Sequence, residues 1–317
     1  MLIGAHGRIA GGVSSGCLER DLVQRIEWLT QDGPRVMTYE TAADGDEQQR
    51  DYLGCGGTIR VLLEHAQPSA LSLLERVARR KGACAILTVL QSENAHIAAG
   101  AKALHDGHAA TDHGAGGPAP DWRAACSAHV RECLAQRAHL HRTITTGNAT
   151  GSAHVLIEYV PPPRRLLVAG RHYDTAALVR LATELGWQVC LAAEGSTGEL
   201  GPAAERIALD ARALRAWFAD NPHAAMVIMT HSIPLDRLCI ETALRGCELP
   251  YVAVLGPADR THKLLAAIEE REPLPAGAAE RLRAPAGLPL GGEGPAAIAL
   301  SVLAELEQTF ARRIPKA

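Results

Sequence analysis

At 317 residues the chain has room for two domains, each able to bury its own core. Hydrophobic residues make up 47% and charged residues 21%, and a net charge of −3 without any run of Lys or Arg argues against a nucleic-acid partner. No apolar stretch is long enough to span a membrane and no signal peptide opens the chain; eight cysteines without framework spacing suit a reducing cytoplasm, so a soluble cytoplasmic protein is expected.

Met1-Leu2-Ile3 and Arg8-Ile9-Ala10, joined by Gly4-Ala5-His6-Gly7, read as a hairpin. Gly11-Gly12-Val13-Ser14-Ser15-Gly16-Cys17-Leu18-Glu19 follows, a Gly/Ser turn that feeds an amphipathic run. Leu18, Leu22, Val23, Ile26 and Leu29 fall at helical spacing and predict a helix over 17–29. Gly16 falls at the N-cap and Glu19 in the capping-box position, which makes Cys17 the first helical residue. Free N–H groups and the helix dipole favour a thiolate over a thiol there. A strand is expected over 35–39, a polar loop over 41–50 and a further strand over 58–64. That last strand is preceded by a second glycine-rich turn, Leu53-Gly54-Cys55-Gly56-Gly57. The glycines beside Cys17 and Cys55 let backbone or a ligand approach closely. A single free cysteine is more often a small buried hydrophobe than a reactive group. The shared setting of this pair weighs the reactive reading level with the structural one.

A helix over 71–80 and a buried strand over 85–90 come next. Residues 107–120, rich in Gly and Pro, read as a loop whose His108 and His113 match no metal-ligand spacing. Trp122 to Leu140 reads as a helix with Cys126 and Cys133 on one face, a core pattern. A strand at 155–159 closes a first domain of residues 1–160, and Pro161-Pro162-Pro163 is a stiff spacer to a second domain over 164–317. There, strands at 166–169, 187–193, 225–229 and 251–255 alternate with helices at 175–185, 260–271 and 295–312, which argues a parallel α/β sheet.

A dinucleotide fold of that kind places G-x-G-x-x-G after its first strand. Gly170-Arg171-His172-Tyr173-Asp174 keeps the first glycine alone. His172 puts a side chain where a pyrophosphate packs, and Asp174 repels a phosphate at the helix start. Glu194, 24 residues after Gly170, is spaced as a ribose-binding acid. Thr230 and His231 fall at a strand's carboxyl end, and Gly256 follows the next strand. These six positions, Gly170, His172, Glu194, Thr230, His231 and Gly256, form a candidate nucleotide site in which NAD(P) binding is expected to be weak or absent.

The pair GGVSSGCLE and LGCGG resembles the xanthine dehydrogenase accessory factor family, XdhC/CoxI, and the chain from Leu166 onward is similar to that family's C-terminal domain. The resemblance implies an α/β protein: an N-terminal α+β XdhC/CoxI-type domain followed by a Rossmann-like parallel α/β domain. Relatives place another strand and turn upstream, so the first domain is expected to be shortened or its start codon misassigned. The family's Gly-Ala-Gly is replaced at 170–172, its ribose-binding aspartate falls at Ala193, and Ala253 and Pro289 stand where a glycine and an acid are usual. The implied function is binding of molybdenum cofactor (molybdopterin) and its delivery to a molybdenum hydroxylase apoenzyme, with a cysteine desulfurase as a further partner. Cofactor insertion is favoured over catalysis. Cys17 and Cys55 would ligate molybdenum as soft thiolates, the glycines Gly16, Gly54, Gly56 and Gly57 would admit the pterin, and Glu19 is counted with them among the cofactor-binding residues. The alternative is an NAD(P)-dependent oxidoreductase working through the second domain. Thiol–disulfide exchange lacks a C-x-x-C, and structural zinc lacks half its ligands. A homodimer covering the N-terminal sheet edge is expected.

Overall fold

The computed structural model describes residues 1–13, 17–40, 58–108, 110–113, 122–145, 151–194 and 205–311, with backbone alone for Cys17, Glu40 and residues 110–113. The chain divides into two compact units, Met1–Pro161 and Pro162–Ala317.

The first unit opens with an antiparallel hairpin, β1 (Leu2–Gly4) and β2 (Gly7–Ala10). Helix α1 (Cys17–Leu29) packs Leu18, Leu22 and Leu29 on a second antiparallel pair, β3 (Arg35–Glu40) and β4 (Thr58–Leu63). Helix α2 (Pro68–Arg79) starts on a proline, tolerated where the backbone N–H has no helical partner. A five-stranded antiparallel sheet completes the unit in the order β7-β6-β5-β9-β8. Its strands are β5 (Cys84–Ser92), β6 (Lys102–His105), β7 (Ala110–His113), β8 (Leu140–Thr145) and β9 (Ser152–Val160). Helix α3 (Trp122–Gln136) lays Cys126, Val130 and Cys133 on Leu87, Val89 and Ile157 of that sheet.

Two segments depart from expectation, and a third cannot be compared. Residues 107–120 are not a loop throughout, because β7 pairs antiparallel with β6, with Lys102 opposite His113 and His105 opposite Ala110. The loop composition is concentrated at 114–120, outside the described residues, and it masked the short Ala-Thr-Asp-His run before it. Helix α3 stops at Gln136 rather than Leu140, where Arg137 turns to φ +54°. The freed segment becomes β8, which buries Leu140 and Ile144 and pairs with β9. The loop expected over 41–50 lies outside the described residues.

The second unit is a six-stranded, all-parallel sheet in the order β12-β11-β10-β13-β14-β15. The strands are β10 (Arg165–Ala169), β11 (Gln188–Ala192), β12 (Glu205–Ile207), β13 (Ala225–Ile228), β14 (Tyr251–Val254) and β15 (Leu282–Arg283). Successive residues of the central strands face opposite cores, so these strands read as unbroken apolar runs. Leu166 and Val168 meet Leu178 and Val179 of α4 (Tyr173–Glu184) and Val302, Leu303 and Leu306 of α8 (Pro295–Ala311). Leu167 and Ala169 share the other core with α5 (Ala211–Asp220), α6 (Ile233–Gly246) and α7 (Ala258–Glu269). Glu307 of α8 holds the start of this sheet, accepting from Arg164 and from the Trp187 indole at 2.9 Å. Helix α5 has its signature in Asp210, whose carboxylate caps Ala213 N at 2.8 Å.

Candidate functional site

Cys17 is the first residue of α1. Leu18 and Leu22 bury one face of the helix, and Glu19 links it to Val13. That carboxylate is buried and its Oε1 accepts from Val13 N at 2.9 Å, reaching back over six residues. Val13 is thereby tied to the first turn of the helix. Gly16, Cys55, Gly54, Gly56 and Gly57 lie outside the described residues. The other cysteines are built differently. Cys84, Cys126, Cys133, Cys190 and Cys239 are buried thiols outside any disulfide, and Cys247 is half-buried. Burial pushes the thiol of Cys133 up to about 11 and those of Cys190 and Cys239 to about 12. Cys126 and Cys133 are core residues, as their spacing predicts. Among the described residues no group of three His, Cys, Asp or Glu side chains is placed to hold a metal ion.

In the second unit the carboxyl ends of β10, β11 and β13 enclose a crevice of about 270 Å³. Five of the six sequence candidates line it: Gly170, His172, Glu194, Thr230 and His231. Gly256 follows β14 one strand further on and is not in its wall. The crevice lies where the strand order reverses, because β10 pairs with both β11 and β13. Open α/β sheets bind ligands at such a point. Gly170, at φ +151°, is required here: a Cβ would stand 2.4 Å from the Met229 carbonyl oxygen. Gly170 N donates to Ala192 O at 3.0 Å and Met229 N to Ala169 O at 2.7 Å, fixing the three strand ends together.

The chemistry of the crevice centres on Asp174 and His231. His172 is the N-cap of α4 and its exposed ring makes no capping bond. Thr175 N donates both to the His172 carbonyl oxygen at 3.0 Å and to Asp174 Oδ1 at 2.9 Å. Asp174 Oδ2 accepts from His231 Nε2 at 2.8 Å, which selects the tautomer with the proton on that nitrogen. The His172 ring stands edge-on to His231 with centroids 4.9 Å apart. His231 adopts φ +55°, uncommon outside glycine, and a local network holds it there. Ser232 N donates to Thr230 Oγ1 at 3.1 Å, and the Thr230 hydroxyl donates to Asp236 of α6, which also takes Arg260 of α7. Asp236 is 2% exposed. Sequence reasoning reads Asp174 only as repellent to phosphate. The available signal is an aspartate in the first turn of a helix whose glycine fingerprint is incomplete. Its histidine partner, 57 residues on, is supplied by tertiary structure.

A parallel sheet in this order, with its crevice at the switch point, defines a Rossmann-like domain. The family model for the XdhC Rossmann domain matches residues 166–306, and that for the XdhC and CoxI family matches residues 1–40. The chain belongs to the XdhC family. It is 28% identical over 321 residues to a probable xanthine dehydrogenase subunit of Bacillus subtilis (strain 168), covering 98% of this chain and 88% of that one. It also shares its fold with a solved structure of a xanthine dehydrogenase from Bacillus halodurans, with a TM-score of 0.66 at 24% identity, covering 98% and 85% of the two chains. The match over residues 1–40 includes Cys17 and ends before Cys55.

Proposed function

We propose that this chain is an accessory factor of a xanthine dehydrogenase-type molybdenum hydroxylase, and that it binds molybdenum cofactor and passes it to the apoenzyme. The observation that carries this reading is Cys17 at the first position of α1, inside the stretch that matches the XdhC and CoxI family. The name of the Bacillus subtilis relative supports the same class of partner. The molybdenum cofactor is cargo. A helix start offers it backbone N–H donors for the pterin's phosphate, and a thiolate there offers molybdenum a soft ligand. Glu19, in the first turn of the same helix, is buried with its carboxylate accepting from Val13 N. Cys55 is the proposed second thiolate, so that each cysteine makes one of two attachments. A cysteine desulfurase is a further proposed partner, because two thiolates can hold a sulfur atom during exchange of the metal's terminal ligand.

Purification from a cofactor-producing host, with molybdenum and pterin measured per chain, tests this. Cys17→Ser and Cys55→Ser should each lose most of the cofactor with circular dichroism unchanged. Cys126→Ser and Cys133→Ser should keep it, at a cost of about 1–3 kcal/mol in stability from the buried core. Equal retention in all four variants would remove the basis for a cysteine site.

A further inference from the structure

Sheets of this strand order bind dinucleotides in two places: the pyrophosphate at the helix start after the first strand, and the ribose hydroxyls at an acid after the second. In this chain the second place is available and the first is filled. Glu194 follows β11, lines the crevice and is exposed. At the helix start, the backbone N–H of Thr175 is already shared between His172 O at 3.0 Å and Asp174 Oδ1 at 2.9 Å, so it is not open to a phosphate oxygen, and the Asp174 carboxylate stands beside it. The carboxylate is 7% exposed and is held from across the crevice by His231 at 2.8 Å. A phosphate entering here would meet a fixed negative charge. It would also displace a hydrogen-bonded partner from low-dielectric surroundings.

The crevice, about 270 Å³ among the described residues, has room for a nucleoside. Leu209 and Leu235 give it an apolar wall. Arg171, which donates to the Glu194 carbonyl at 3.4 Å, closes the Glu194 side.

We propose that the crevice is a nucleoside site: it binds an unphosphorylated ribonucleoside, whose ribose hydroxyls donate to Glu194 and whose base lies against Leu209 and Leu235. Asp174, held by His231, excludes a 5′-phosphate. Cys17 and Cys55 take no part, so failure of the cofactor reading leaves this site untouched.

Calorimetric titration of the full chain with adenosine, AMP and NAD+ reads the site directly. Adenosine should saturate, with AMP and NAD+ at least about tenfold weaker. Glu194→Ala should weaken adenosine by about tenfold, as expected for one lost charge-assisted contact. Asp174→Asn keeps the shape of the carboxylate without its charge and should bring AMP close to adenosine. Absence of saturation by adenosine, AMP or NAD+ binding as tightly as adenosine, or full adenosine affinity in Glu194→Ala would each overturn the proposal. So would an unchanged AMP penalty in a folded Asp174→Asn protein. Should that variant misfold, the ligand series on the natural chain and the Glu194 variant decide alone.

Discussion

A thiol's surroundings decide whether it can act, and most cysteines among the described residues have surroundings that forbid it. Cys133 lies under a sheet and Cys190 within one, and burial raises both thiols far above neutral pH. A thiolate is the nucleophile, so at pH 8 these groups alkylate slowly. Brief iodoacetamide treatment of the native chain, followed by peptide mass mapping, should therefore label Cys17 and Cys55 well before Cys133, Cys190 or Cys239. Label appearing first at the buried three would contradict the cysteine site. Two residues of the crevice carry further expectations. Gly170→Ala forces a Cβ to within 2.4 Å of Met229 O, and should cost about 3 kcal/mol and lower Tm. His172→Gly removes an exposed ring but leaves Asp174 on the helix N-terminus. Dinucleotide binding to that variant should accordingly stay at about millimolar or weaker, as in the natural chain. Micromolar NADH binding after this one change would assign the obstruction to the imidazole instead.

At the scale of elements, Asp236 is the joint of the second unit. It sits in the first turn of α6, accepts from Thr230 after β13 and from Arg260 of α7, and is almost fully buried. Asp236→Ala leaves Arg260 without its carboxylate and frees the turn that carries His231. The cost should be about 2–3 kcal/mol, below the roughly 3–5 of a fully buried pair because Arg260 is partly exposed. Urea unfolding measures it, and an unchanged midpoint would show that the turn is held by packing alone. Helix α6 also shows where sequence reading stops. Its Ile233-Pro234 start looks like a breaker, yet proline in a first turn interrupts no helical hydrogen bond. By contrast, α1 is legible to the residue, because Leu18, Leu22 and Leu29 repeat at helical spacing behind a Gly/Ser turn. Strand β8 is not, since His141, Arg142 and Thr143 outnumber the two buried residues that fix its register.

For the whole molecule, the α/β class and the parallel sheet of the second unit are legible because strands buried on both faces appear as continuous apolar runs, such as Leu166 to Ala169. The crevice is legible as a set of strand-end positions, and Gly170, Glu194 and His231 do meet there. The bond between Asp174 and His231 is not, because nothing local relates residues so far apart in the chain. The assembly of the protein is argued from its surface. In the first unit Ile9 of β2 is 67% exposed and Trp28 of α1 is 63% exposed, and Leu2 also reaches solvent. The hairpin that carries Leu2 and Ile9 has only two strands, a size that is marginal without a packing partner. Ile3 gives it one contact with the α1 cluster, and its other apolar side chains have no comparable cover among the described residues. A second copy of the chain can supply that cover symmetrically. Light scattering should therefore give twice the 33.6 kDa chain mass. Placing charge on the surface, as in the double change Ile9→Lys with Trp28→Lys, should shift the protein to monomer while leaving adenosine binding in the second unit as it was. A natural chain that scatters as a monomer at working concentration would rule out the dimer.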